Sequence, residues 1–268
     1  MSNNIETIQA EFEKSSTEAL RQFGDILSKF GAAVAAEVRS GQARPIAASS
    51  DNENISLDNA LFDSAPVAAV PRHAEFAPLM DVGHRFLLAA EGLFVEIRRP
   101  WLHLIQQVSA IDSAGPRPPY GSITPKIEFA FGRLGAAEPH FRRFAVEANA
   151  AAPNEHAAWI VWDSAASELV YKPVEIKSAT PGSLDIVRPS LADHECLAID
   201  LHSHGTASAF FSETDDDDDA GEVKIAGVIG GLAAGAEKSV VFRLCALGRT
   251  IKLAVPVRAF FAADEVPA

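Results

Sequence analysis

Two histidines at alternate positions, His202 and His204, followed by Ser212 and Asp215, constrain this chain more than any other feature it carries. The run Glu195-Cys196-Leu197-Ala198-Ile199-Asp200-Leu201 ahead of them is mostly apolar and reads as a strand. In an extended backbone alternate side chains point the same way, so both imidazoles aim at one point from the strand's end. Asp215 must return to that point from a loop. Two neutral imidazole nitrogens and one carboxylate oxygen leave one corner of a tetrahedral zinc site open for water, which is the layout of a catalytic rather than a structural zinc. The plainer reading of the same residues is a strand end with two surface histidines, then a helix start in which Ser212 and Asp215 form a capping-box-like pair. The two readings are compatible, because Ser212 can cap a helix and still face a metal.

The whole spacing, His-x-His-x7-Ser-x2-Asp, resembles the JAMM/MPN metalloprotease family, which includes the prokaryotic JAB domains. The resemblance implies an α/β fold of MPN/JAB type, a cytidine-deaminase-like mixed sheet flanked by helices. It also implies a zinc ion (Zn2+) held by His202, His204 and Asp215. The family's catalytic Glu lies just past the first helix, at the start of the first strand. Here that is Glu155, 47 residues before His202. By this resemblance Glu155 takes a proton from the attacking water and passes it to the departing amine. Ser212 hydrogen-bonds the oxyanion. The product is a hydrolysed peptide or isopeptide bond. Of the neighbouring acids, Glu195 sits seven residues back along the His202 strand, roughly 23 Å away at about 3.3 Å per residue, and of Glu168 and Glu175, which flank the 169–171 strand, only Glu168 competes with Glu155 as base because its turn can lie at either end of a sheet.

A wider stretch that includes Gly92-Leu93-Phe94-Val95-Glu96-Ile97-Arg98-Arg99-Pro100-Trp101-Leu102 resembles the JAMM proteins of PRTRC-type systems. Those are bacterial plasmid-type gene sets that also encode E1-like (ThiF), E2-like and ubiquitin-like proteins. The implied partner is a ubiquitin-like protein or its conjugate, with the E1-like and E2-like proteins of the same system beside it. A non-catalytic scaffold of the same fold is the alternative, since many MPN domains have lost part of the metal set; here every member is present. A zinc deaminase needs Pro-Cys-x-x-Cys, which this chain lacks.

Two departures from the family pattern stand out. Gly205 follows the second histidine where the family commonly has Pro, which predicts a freer metal loop. Asp215 to Asp219 form an acidic run, read either as a solvated face or as a patch that repels acidic substrates or attracts a basic tail.

Composition narrows the remaining choices. With 268 residues, 48% of them hydrophobic, the chain can bury a sizeable core. A formal net charge of -13 argues against nucleic acid or anionic lipid as the main partner. Cys196 and Cys245 are the only cysteines, which excludes a disulfide framework and suits a cytoplasmic setting. The apolar run from Ile225 to Ala236 is too short for the ~18 residues of a membrane span. No apolar h-region of a signal peptide is visible near the start.

Along the chain, Ile5, Ile8, Phe12, Leu20, Phe23, Leu27, Phe30, Val34 and Val38 mark an amphipathic helix over 1–40. A polar Ala/Ser/Asn-rich linker covers 41–64. A small strand-rich region covers 65–134, with a hairpin turning at Glu91-Gly92, a strand over 127–131, and Arg98-Arg99-Pro100-Trp101 as a solvated loop with one packed indole or, less simply, a recognition surface. The JAMM-like domain spans 135–268. It begins with a helix over 138–150 and continues with strands at 157–162, 169–171, 184–187, 195–201, 225–230, 240–244 and 251–255.

Overall fold

The computed structural model describes residue 29 and residues 53–112 and 115–261, in two units, 1–66 and 67–268. The stripe predicted over 1–40 lies outside the described residues except for Lys29, which is helical. In the first unit, helix α1 (Glu53–Ser64) occupies part of the predicted linker. The segment has no Gly or Pro, and Leu57, Ala60 and Leu61 recur at helical spacing, so the polar composition conceals a helix. Its Leu57, Leu61 and Phe62 are exposed.

The second unit begins with a five-stranded sheet in spatial order β1 (Val67–Ala69), β2 (Gly83–Ala89), β3 (Gly92–Arg99), β4 (Leu102–Ala110), β5 (Lys126–Phe129). The hairpin turn falls at Ala90-Glu91, one residue before the predicted Glu91-Gly92; Gly92 opens β3 opposite Ala89, has φ 142°, and a Cβ there would stand 2.0 Å from the Ser109 carbonyl oxygen. β5 ends at Phe129, two residues short of the predicted strand, because Gly132 turns the chain back and donates to the Phe129 carbonyl. Trp101 forms the β3–β4 turn and is 1% exposed, stacked near Phe129 and Phe131. The indole is therefore core rather than a recognition surface. The opposite face of β3 carries a buried ion cluster: Glu96 accepts from Arg85 Nε at 2.7 Å and pairs with His103 at 2.8 Å.

Helix α2 (Glu138–Ala151) has Pro139 in its first turn, where a missing N–H costs nothing. A six-stranded mixed sheet follows, with β6 (Ala157–Asp163), β7 (Glu168–Pro173), β10 (Glu195–Ser203), β11 (Val223–Gly230), β12 (Ser239–Ala246) and β13 (Arg249–Leu253) in spatial order β13-β12-β11-β10-β6-β7. β10 runs parallel to β11 and antiparallel to β6. One face, with Ile160, Ile199, Leu201, Ile225 and Leu244, packs on Phe141, Phe144 and Ala148 of α2, and the core continues to Ile97, Trp101 and Leu104 of the first sheet.

The other face carries a two-stranded hairpin, β8 (Glu175–Thr180) and β9 (Ser183–Val187), packed through Ile176, Leu184 and Ile186 onto Ala157, Trp159 and Val161. β8 escapes sequence reading because Glu-Ile-Lys-Ser-Ala-Thr buries little and holds no apolar run. Helix α3 (Glu213–Asp219) follows the loop that leaves β10. Among the described residues no helix is long and apolar enough to cross a membrane.

Candidate metal centre

β10 lies between β11 and β6 in its sheet, so its end is held on both sides. His202 is in register with Ala157 of β6 and Val228 of β11. One residue beyond, Ser203 donates its N–H to the His156 carbonyl, and its hydroxyl accepts from His156 N–H at 3.0 Å. His204 donates its N–H to Ile229 at 2.9 Å. These bonds fix both histidine backbones against the strands that flank them.

The loop after His204 is pinned as well. Gly205 has φ 50°, and a Cβ there would stand 2.1 Å from the Pro153 carbonyl oxygen. Its own carbonyl accepts from Leu232 N–H at 2.9 Å. The expectation of a freer loop is therefore corrected: glycine is present because the backbone is left-handed and passes directly over Pro153, and the contact restrains it.

His202 Nε2 and His204 Nε2 stand 3.2 Å apart, and Asp215 Oδ1 is 3.3 Å from His202 Nε2. All three residues offer a ligand atom within 4.8 Å of the others, the one such metal-holding group among the described residues. Zinc–nitrogen and zinc–oxygen bonds of about 2.0–2.1 Å place neighbouring tetrahedral ligands about 3.3 Å apart. The His202–His204 and His202–Asp215 separations match that edge and all three donors lie within 4.8 Å of one another, so the residues present fit a zinc ion.

Asp215 is aimed by a capping box. Ser212 N–H donates to Asp215 Oδ2 at 2.6 Å, and Asp215 N–H donates to Ser212 Oγ at 3.2 Å. The Ser212 hydroxyl also donates to Oδ2, at 2.7 Å. One carboxylate oxygen is thus held by the helix start while the other faces the histidines. Capping and ligand placement use the same pair of residues. Burial, assisted by His202, lowers the His204 pKa below the usual imidazole range, against a smaller pull from Asp215 and the Ser208 backbone. A neutral imidazole is the form that binds metal.

Glu155 lines the same cleft as His202, His204, Ser212 and Asp215. Its N–H donates to the Thr180 carbonyl, which ties it to the β8–β9 hairpin. Burial raises its pKa, and the Asp215 charge adds to the rise. The competitors lie elsewhere. Glu168 pairs with Asp163, six residues along β6 from the Ala157 opposite His202, or about 20 Å at ~3.3 Å per residue. Glu195 is at the start of β10, bonded to Lys172. Glu175 is in register with Val187 on the hairpin. His156, next to Glu155, faces α2, where it stacks on Phe144.

The cleft has a volume of about 340 Å³. The hairpin tip at Pro181, Gly182 and Ser183 forms one wall, and Phe210, Phe211 and Thr214 form the other. Phe210 is half-exposed, edge-on to the His204 ring at 4.5 Å. From the ligand cluster the floor continues over Ala157 and Ala226 to Asp200 and Lys224.

Residues 137–245 match the family model described as prokaryotic homologs of the JAB domain. This part of the chain is a JAB domain. Residues 55–130 match the model described as a domain of unknown function, DUF2016. No curated protein matches the chain. The JAB match spans α2, Glu155, the three candidate ligands and most of β12, so the geometry above belongs to that domain.

Sequence reading missed the cations beneath the JAB site. Lys224 Nζ bridges Asp200 and Asp219 at 2.9 Å each, and Arg243 binds Asp219 and Asp216. Asp219 is 7% exposed. The acidic run is therefore not simply a solvated face: Asp219 is a buried counter-ion, and the exposed Asp216 also pairs with Arg243. The overlooked signal was a charged residue within each of two apolar strands, Lys224 near the start of Val-Lys-Ile-Ala-Gly and Arg243 in the middle of Val-Phe-Arg-Leu-Cys.

Proposed function

We propose that this JAB domain is a zinc-dependent hydrolase of the JAMM type that cleaves a peptide or isopeptide bond. The observation that carries the reading is the match between the His202, His204 and Asp215 donor separations and the edge of a zinc tetrahedron, with Glu155 in the same cleft. When bound, the zinc supplies Lewis acidity that makes water a nucleophile near neutral pH.

Glu155 accepts the proton of the attacking water and delivers it to the departing amine; its upward-shifted pKa suits a group that must both take and give a proton. The Ser212 hydroxyl, now turned to Asp215, rotates to donate to the oxygen that gains charge. Phe210 and the hairpin tip shield these steps from bulk water.

The substrate we propose is the tail of a ubiquitin-like protein or its conjugate, within a PRTRC-type system that supplies E1-like (ThiF) and E2-like proteins. The DUF2016 match at 55–130 covers the stretch that carries the PRTRC resemblance and supports this reading. The test is hydrolysis of the ubiquitin-like protein encoded nearby, fused through its C-terminus to a reporter, by the zinc-loaded chain and by its Glu155→Gln variant. Glu155→Gln retains zinc and loses turnover by about 10²-fold or more. A zinc-loaded parent that leaves every such fusion intact would establish the chain as a scaffold.

A further inference from the structure

We propose that Arg243 is the positioning residue of the metal centre: its guanidinium holds residues 211–219 so that the Asp215 carboxylate meets His202 and His204. The inference rests on the reading of those three residues as metal ligands.

The segment does not hold its own shape. α3 has seven residues, too few for a stable isolated helix. Five successive aspartates repel one another, and those of the last turn face the negative end of the helix dipole. The capping box orients the Asp215 side chain only while the backbone of 212–215 is already folded.

Arg243 supplies that constraint from β12, itself 8% exposed. It grips the segment at four points. Its guanidinium carbon lies 3.9 Å over the Phe211 ring. Nη2 donates to the Asp215 carbonyl at 3.0 Å. Nη1 donates to the Asp216 carboxylate. Nε and Nη2 both donate to Asp219 Oδ2, at 2.9 and 2.7 Å. The other oxygen of Asp219 is held by Lys224. Only a planar fork can stack on a ring and donate in three directions at once, so lysine is not an equivalent here. None of these contacts involves an Asp215 carboxylate oxygen or a histidine ring, so Arg243 acts on the metal through the Asp215 backbone.

The experiment measures zinc affinity of the full chain by competition with a chromophoric chelator, and the visible absorption of the cobalt-substituted protein. It compares the parent, Arg243→Met, Arg243→Lys, Asp215→Ala and the Asp215→Ala/Arg243→Met double variant. Arg243→Met should weaken zinc about 10- to 100-fold, as loss of partners that orient ligands does, and shift the cobalt spectrum toward that of Asp215→Ala. Arg243→Lys should recover little of the loss. In the Asp215→Ala background the same Met substitution should change affinity by less than about twofold, because the group it positions is already gone.

Glu96→Gln, which breaks the separate buried cluster with Arg85 and His103, controls for general destabilisation and should leave zinc affinity intact. Equal losses in both Asp215 backgrounds, or parent-like affinity in Arg243→Met, would overturn the proposal. If Arg243→Met does not fold, Arg243→Gln takes its place in the cycle, and the same two outcomes overturn the proposal. A parent that binds no zinc removes the ligand reading and this inference with it; a parent that binds alongside an unaffected variant removes this inference alone.

Discussion

Gly205 passes so close to Pro153 that a Cβ on the glycine would stand 2.1 Å from the proline carbonyl oxygen. This contact joins the loop after the second histidine to the segment that presents Glu155, two residues beyond Pro153. A side chain at 205 has to push the two apart, and a non-glycine residue also pays about 1–2 kcal/mol for the left-handed backbone. Gly205→Ala should therefore lower the melting temperature by at least about 3 °C and weaken zinc. Gly205→Pro, which restores the commoner family residue, should be worse, because φ 50° is closed to proline. Thermal melts with and without added zinc check both.

The chain should bind one zinc ion, and His202→Ala/His204→Ala should bind none at the same chelator concentration. Because the donors come from β10 and the start of α3, metal removal should lower the melting temperature as expected for loss of a native-state ligand. Full zinc by elemental analysis in the double variant would show that the metal sits elsewhere.

Glu168→Gln should turn over substrate like the parent. Glu168 is at the Asp163 end of β6, about 20 Å from the strand end that faces His202. Kinetics of Glu168→Gln and Glu155→Gln, measured side by side on one fusion substrate, decide it; a dead Glu168 variant beside an active Glu155 variant reverses the assignment.

Asp219 should carry a large share of the stability of α3. Burial works against its charge, but Lys224 and Arg243 outweigh burial and hold its pKa below the ordinary aspartate value. A depressed folded pKa means the contribution is complete above the unfolded value near 3.8 and is lost as pH falls through the lower folded one. Asp219→Asn leaves two buried cations short of a counter-ion and should cost about 3–5 kcal/mol at neutral pH. Denaturant melts from pH 7 to pH 3 should show that gap closing only at the acid end.

Residues 1–64 should be dispensable for zinc binding. The unit from Val67 onward holds all three sheets and every residue of the proposed chemistry. A chain beginning at Ala65 that folds but fails to bind zinc would make the N-terminal unit part of the centre.

The clustering of His202, His204 and Asp215 was legible in sequence because its geometry is local: a period of two places His202 and His204 on one side of a strand, and a helix cap places Asp215 within reach. The strand pattern of the JAB domain was legible for the same reason, since apolar alternation over a few residues needs no distant partner. The sequence thus determined the ligand types, their spacing and the order of most elements.

The tertiary structure decided what depends on residues far apart in the chain. β8 is polar and becomes a strand by pairing with β9 over the sheet. Gly205 reads as freedom until Pro153 is seen beneath it. The aspartate run reads as a solvated face until Arg243 and Lys224 arrive from β12 and β11 to pair with Asp216 and Asp219. Charge and glycine have opposite consequences when exposed and when packed, and burial is set by which strands become neighbours rather than by the residues themselves.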